Sequence, residues 1–243
     1  MNQIPLHQAA SRLGRARRVA VLTGAGVSAE SGVPTFRGPG GLWENHRPED
    51  LATPQAFARD PGLVWRWYHW RRGLIAECAP NPAHRALAGL EQRAGEFTLI
   101  TQNVDGLHRL AGSQNILELH GNLWWVRCTA CGALYQERGL DLPAPPSCRE
   151  CGGMLRPHVV WFGESLDPGI LDAAWRAAAG AEVMLVVGTS AVVQPAAGLA
   201  SVAKQAGAFV IEINLEPTPN SGEVDVSLLG RAGEILPELM EQI

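Results

Sequence analysis

The stretch Val19-Ala20-Val21-Leu22-Thr23-Gly24-Ala25-Gly26-Val27-Ser28 decides how this chain folds. Four consecutive apolar residues with no polar alternation read as a strand buried on both faces, the pattern of a parallel sheet. The glycines that follow break the strand, and Val27-Ser28-Ala29 opens a helix. Working outward, Phe97-Ile100, Ile116-Leu119, Val183-Val187 and Phe209-Ile213 repeat the apolar run. Helical patterns at Ala83-Ala94, Leu171-Ala179 and Ala196-Ala206 lie between them. Strand–helix alternation predicts an α/β fold, a doubly wound parallel sheet of Rossmann-like type.

The turns after these strands share a character. They read Thr23-Gly24-Ala25-Gly26, Thr101-Gln102-Asn103-Val104-Asp105, His120-Gly121, Gly188-Thr189-Ser190 and Asn214-Leu215-Glu216. Ligands of open α/β sheets bind outside the carboxyl ends of the strands, so five polar or glycine-rich turns converge on one crevice. In the first turn, glycines let backbone N–H groups approach a pyrophosphate at a helix N-terminus. The full GxGxxG pattern stops short because Ala29 takes its last place.

Two segments interrupt the alternation. Residues 38–80 are helical and carry Trp43, Trp65, Trp67, Tyr68 and Trp70. Residues 126–156 hold Cys128-Thr-Ala-Cys131 and Cys148-Arg-Glu-Cys151, whose spacing suits four thiolate ligands on one tetrahedral zinc. Four thiolates leave no open position for water, so the metal is structural. The expected organisation is residues 1–37, 81–125 and 157–243 as the dinucleotide-binding sheet, 38–80 as a helical insertion of a small domain, and 126–156 as a zinc-binding module.

Composition narrows the partners. The net charge of −4 provides no basic field for nucleic acid, and the arginines near the cysteines form no patch. No apolar run approaches the ~20 residues that span a bilayer. Met1 to Arg18 is Arg-rich and acid-free, as transit peptides are, but Leu6, Ala9, Ala10 and Leu13 recur at helical spacing and predict a first amphipathic helix of the fold. Four of the five cysteines belong to the metal site, which fits a reducing, cytoplasmic setting; Cys78 is a small apolar residue. A monomer is expected.

The run from Gly24 to Arg37, Gly-Ala-Gly-Val-Ser-Ala-Glu-Ser-Gly-Val-Pro-Thr-Phe-Arg, closely resembles the first signature of the sirtuins, NAD-dependent protein-lysine deacylases. Thr101 to His108 resembles their second signature. His120-Gly121, the two cysteine pairs, Trp161-Phe162-Gly163-Glu164, Gly188-Thr189-Ser190 and Ile213-Asn214 follow in family order, so the resemblance covers nearly the whole chain. It implies that Gly24, Ala25, Gly26, Ser28, Phe36 and Arg37 surround the cofactor, with Phe36 shielding the reactive sugar carbon. Gln102, Asn103 and Asp105 would hold the nicotinamide ribose and carboxamide. Gly188, Thr189, Ser190, Asn214, Glu216 and the backbone near Ala232 would hold the remainder of NAD. His120 would be the general base, a role its ordinary pKa near ~6.5 permits. Val160, Trp161 and Phe162 would wall the acyl-lysine groove, with His158 and Trp161 departing from the commonest family wording.

Tyr68 and Arg71 stand three apart on one predicted helix face. A Tyr-x-x-Arg pair here resembles the acidic-acyl subgroup (class III, CobB-like), the desuccinylases, demalonylases and deglutarylases. Arg71 would grip a distal carboxylate with its two-donor fork, Tyr68 would add a hydroxyl, and Ala52 would keep the pocket wide. The competing reading makes Arg71 one of several arginines on a solvated helix face. For the chain as a whole, an NAD-dependent mono-ADP-ribosyltransferase shares the early chemistry and stays open; a hydride-transferring dehydrogenase and a non-enzymatic zinc-ribbon module fit less well.

Overall fold

The computed structural model describes residues 3–35 and 47–243. Phe36, Arg37 and Trp43 therefore lie outside the described residues. A six-stranded sheet, every neighbouring pair parallel, has the order β3-β2-β1-β7-β8-β9. Its strands are β1 (Arg18–Thr23), β2 (Glu96–Thr101), β3 (Ile116–Glu118), β7 (Val183–Val187), β8 (Phe209–Asn214) and β9 (Val226–Leu229). The five apolar runs are all strands; β9 is a sixth that lacked a comparable signal, because Ser227 breaks its apolar run.

The central strands β1 and β7 are apolar on both faces, and each face of the sheet has its own helices. Val19 and Val21 join a layer formed with α1 (Gln3–Leu13), α6 (Pro82–Arg93) and α10 (Ala232–Glu241), through Leu6, Leu87 and Ile235. Ala20 and Leu22 face the other way, onto Ala174 of α8 (Pro168–Gly180) and Leu199 of α9 (Gly198–Gln205). The amphipathic spacing of Leu6, Ala9 and Leu13 is thus that of a first helix packed on the sheet. The chain runs from β1 outward to β3, then restarts on the other flank at β7. That reversal opens a crevice between the carboxyl ends of β1 and β7.

The two interruptions form one further unit, which reaches beyond the expected 126–156 module at both ends because its first strand begins at Gly121 and its last ends at Val159. One part is α3 (Pro48–Leu51), α4 (Pro54–Arg59) and α5 (Pro61–Ala76); the other is an antiparallel sheet β5-β4-β6 of Leu134–Gln136, Gly121–Cys128 and Leu155–Val159. Their apolar side chains make a single core in which Phe57, Trp65, Tyr68 and Ile75 meet Leu123, Trp124, Val126 and Trp161. Buried Arg72 of α5 fastens the halves: its guanidinium donates to the carbonyls of Leu123 (2.8 and 3.0 Å), Glu137 (2.9 Å) and Gly139 (3.3 Å). Asp60 caps α5 by accepting from the Leu63 N–H at 2.8 Å, with Pro61 at its first position. The sheet of this unit begins at Gly121, directly after His120.

Candidate active site

Gly24, Gly26 and Gly188 are glycines first because the β1 and β7 turns touch. A Cβ on Gly24 would lie 2.7 Å from the Gly188 carbonyl oxygen, and one on Gly188 would lie 2.5 Å from the Val27 nitrogen. The Gly24 N–H donates to the Val187 carbonyl (3.0 Å) and the Gly26 N–H to that of Gly188 (2.8 Å). These two amides fasten the strands' ends rather than pointing outward, a use of the motif that its spacing did not disclose. The short helix α2 (Ala25–Ala29) follows, as expected.

Behind this turn lies a chain of buried polar groups. Ser28 Oγ donates to Asp105 Oδ2 at 2.8 Å. The N–H of Leu107, the first residue of the short helix α7 (Leu107–Leu110), donates to Asp105 Oδ1 at 2.8 Å. Asn103 Nδ2 donates to the Gly24 carbonyl (3.0 Å) and to Ser28 Oγ (3.1 Å). Asp105 and Asn103 are both buried, and burial pushes the Asp105 carboxyl up while its two donors and nearby Arg71 oppose the shift. The carboxylate and amide thus converge on a cavity lined also by Ala25, Ser28, Val33 and Arg71. His84 and His108, which read as structural residues, extend this interior. His108 Nε2 lies 3.0 Å from Thr23 Oγ1, His84 Nε2 lies 3.4 Å from Ser28 Oγ, and the rings are 4.7 Å apart. The signal for His84 was Asn81-Pro82 ahead of it, a helix start whose third position bonds back to the cap.

Along the crevice, Gln102 Nε2 donates to Thr189 Oγ1 at 3.0 Å, and Asn214 Nδ2 donates to the Thr189 carbonyl at 3.3 Å. The turns after β2, β7 and β8 are therefore linked directly. Ser190 and Glu216 are exposed at the rim, while Ala232 is buried at the start of α10.

His120 follows β3 and precedes β4, where the sheet and the small unit meet. Its Nδ1 lies 3.0 Å from the Gln102 carbonyl, which can only accept, so Nδ1 carries the proton and Nε2 the lone pair. Burial pushes the imidazole below its ordinary value, with the Gln102 bond opposing. Gly121 must be glycine: its φ is +78°, and a Cβ would stand 2.2 Å from the His158 carbonyl oxygen.

The third group lies on α5. Tyr68 and Arg71 are 2% and 5% exposed, which overturns the solvated-face reading of Arg71. Tyr68 Oη accepts from Trp161 Nε1 at 2.9 Å, and the Arg71 guanidinium sits 4.9 Å from the Trp67 ring. Trp161 is held between Phe57, at 5.1 Å between ring centroids, and the Arg156 guanidinium, 3.5 Å from its ring. Arg156 is in turn fixed by two bonds to Glu164, at 2.6 and 2.8 Å. The Phe162 N–H donates to the Ala52 carbonyl at 2.9 Å; Val160 is half-buried and the Phe162 ring exposed.

The cysteine sulfurs all lie within 4.8 Å of one another, with Cys128–Cys151 at 3.5 Å and Cys131–Cys148 at 3.8 Å. Zn–S bonds of about 2.3 Å in a tetrahedron put sulfurs about 3.8 Å apart, so the donor set fits zinc. The Ala130 and Cys131 amides point at Cys128 Sγ, and the latter draws that thiol down to about 6.

The site thus combines a polar crevice at the switch point of a doubly wound sheet, a neutral histidine where the sheet meets the small unit, and a four-cysteine cluster whose spacing fits zinc. The Sir2 family model matches residues 24–195. A relative from Pyrobaculum aerophilum, "NAD-dependent protein deacylase 2", is 56% identical over 237 residues, covering 96% of this chain and 94% of its own. A mutant Sir2 homologue solved with ADP-ribose superposes with a TM-score of 0.93 at 50% identity, covering 97% and 95%. A Sir2–p53 peptide–NAD+ complex matches with a TM-score of 0.85 at 32% identity, covering 96% and 95%. The chain belongs to the Sir2 family, the NAD-dependent protein deacylases.

Proposed function

We propose that this chain removes acyl groups from protein lysine side chains at the expense of NAD, and that it favours acyl groups ending in a carboxylate. Bound NAD supplies an electrophilic ribose carbon from which nicotinamide departs. His120, neutral and fixed by the Gln102 carbonyl, accepts a sugar hydroxyl proton at Nε2. Asp105, held by Ser28 and the Leu107 amide, places negative charge where positive charge develops. Asn103 and Gln102 orient the nicotinamide end, while Gly188, Thr189, Ser190, Asn214, Glu216 and the backbone at Ala232 take the adenosine end. Phe36 and Arg37, which the family's first signature assigns to the nicotinamide end, lie outside the described residues. The acyl-lysine would enter past Val160, Trp161 and Phe162; with bound NAD and one water the amide bond would break, releasing the lysine amine, nicotinamide and O-acyl-ADP-ribose. Four reduced thiols in the metal site suit a cytoplasmic enzyme.

The observation that carries the acyl preference is the inward aim of Tyr68 and Arg71. Arg71 lines the same cavity as Ala25, Asn103 and Asp105, so a buried cation stands beside the proposed reaction site, which supports a carboxylate-ended acyl group. The test follows nicotinamide and peptide mass with matched succinyl-lysine and acetyl-lysine peptides. Faster turnover of the succinyl peptide is expected. A preference for acetyl would remove the acidic-acyl assignment and keep the deacylase. Nicotinamide release with the label appearing on acceptor protein, and no deacylated peptide, would favour the mono-ADP-ribosyltransferase reading.

A further inference from the structure

Glu212 is, with Asp105, one of two buried acids among the described residues, and nothing in the chemistry above uses it. It lies in β8 between Ile211 and Ile213, at a position where period and neighbours call for a valine or isoleucine. A carboxylate 1% exposed inside a sheet is unfavourable unless hydroxyl or amide donors surround it. Three do. Thr218 Oγ1 donates to Glu212 Oε1, Ser221 Oγ donates to Oε2, and Ser227 Oγ reaches Oε2 at 2.8 Å. Thr218 and Ser221 also close a turn on themselves. The Thr218 N–H donates to Ser221 Oγ (2.7 Å), the Asn220 N–H to Thr218 Oγ1 (3.2 Å) and the Ser221 N–H to the Thr218 carbonyl (3.0 Å).

The stem of that turn is Asn214 to Glu216. Asn214 Nδ2 bridges the Thr189 carbonyl (3.3 Å) and the Glu216 carbonyl (3.1 Å), and the Asn214 carbonyl accepts from the Gly230 N–H (2.8 Å). One side of the stem therefore borders the crevice, and the other is tied through Thr218 and Ser221 to a single side chain below it.

We infer that Glu212 is a positioning residue for the adenosine half of the dinucleotide. It pins the 215–221 turn to the sheet, so that Asn214 and the Glu216 backbone hold one place at the crevice. This rests on the crevice being the NAD site proposed above.

The experiment compares Glu212→Leu and Glu212→Gln with the wild-type chain. ADP-ribose binding is measured by calorimetry and steady-state kinetics are run with NAD and an acyl peptide. Glu212→Leu should weaken ADP-ribose by roughly three- to tenfold, the scale of one lost ordering hydrogen bond. KM for NAD should rise by the same factor, with kcat and KM for the peptide unchanged. Glu212→Gln, whose amide still bonds to hydroxyls, should recover most of the affinity. A second variant pair, Thr218→Val with Ser221→Ala, cuts the same tie from the turn and should reproduce the shift if Glu212→Leu fails to fold. Unaltered ADP-ribose affinity in a folded variant, or equal loss in the KM values of NAD and peptide, overturns the inference alone. A wild-type chain that binds no ADP-ribose overturns the crevice reading and the inference together.

Discussion

Two side chains bear the sharpest expectations. The His120 imidazole is pushed below its ordinary value by burial, so the base stays deprotonated at pH 7. The log of kcat/KM should be flat near neutrality and fall only as pH drops through a value below 6.5; a limb centred above 6.5 would contradict the assignment. Arg71→Met should weaken succinyl-peptide turnover by roughly 2–3 kcal/mol in kcat/KM, the scale of a charged hydrogen bond, and leave acetyl-peptide turnover standing. Equal loss on both peptides would return Arg71 to a purely packing role. Both residues were legible as candidates from motif and helical spacing. The burial of Arg71 was not, because the face of α5 that packs inward depends on the distant partners Leu123, Trp124 and Trp161.

At the scale of elements, α5 and β4 act as one piece through Arg72. Its four bonds to three carbonyls replace the water those carbonyls would otherwise hold. Arg72→Met should destabilise the protein on the order of 3 kcal/mol, since buried acceptors are left without donors. A denaturant midpoint unchanged from wild type would refute this. The run Arg71-Arg72 shows where sequence reading stops: two adjacent identical residues, both buried, have different tasks. Neighbours on a helix point about 100° apart, so one meets the cavity and the other meets the module's carbonyls. The glycines of the first turn make the same point. Their spacing announced a βα turn, whereas the need for glycine arises from the approach of Gly188, more than 160 residues away in sequence.

For the whole molecule, the zinc site and the sheet should separate energetically. Chelation should loosen the unit built on β4, β5 and β6 while the six-stranded sheet keeps its circular dichroism, because the sheet's two apolar layers include none of the four cysteines. Concerted loss of both would show one cooperative block. Acid should act on the other side. Burial pulls His84 to about 4 and His108 to about 3, both below the unfolded value near ~6.5. The unfolded chain then binds more protons in that window, so their contribution to stability is complete above about pH 6.5 and is lost as pH falls towards about 4 for His84 and about 3 for His108. Melting temperatures that do not decline between about pH 6.5 and 5 would exclude this. The amino-acid sequence by itself determined the parallel sheet, the five strand-end turns, the thiolate set and the family, since these depend on local periodicity, short spacings and contiguous motifs. Only the tertiary structure decided that the two interruptions share one core, that Arg71 faces the cavity and that Glu212 ties a turn to the sheet. Each of those joins residues distant along the chain, and packing across that distance leaves no period or spacing to read.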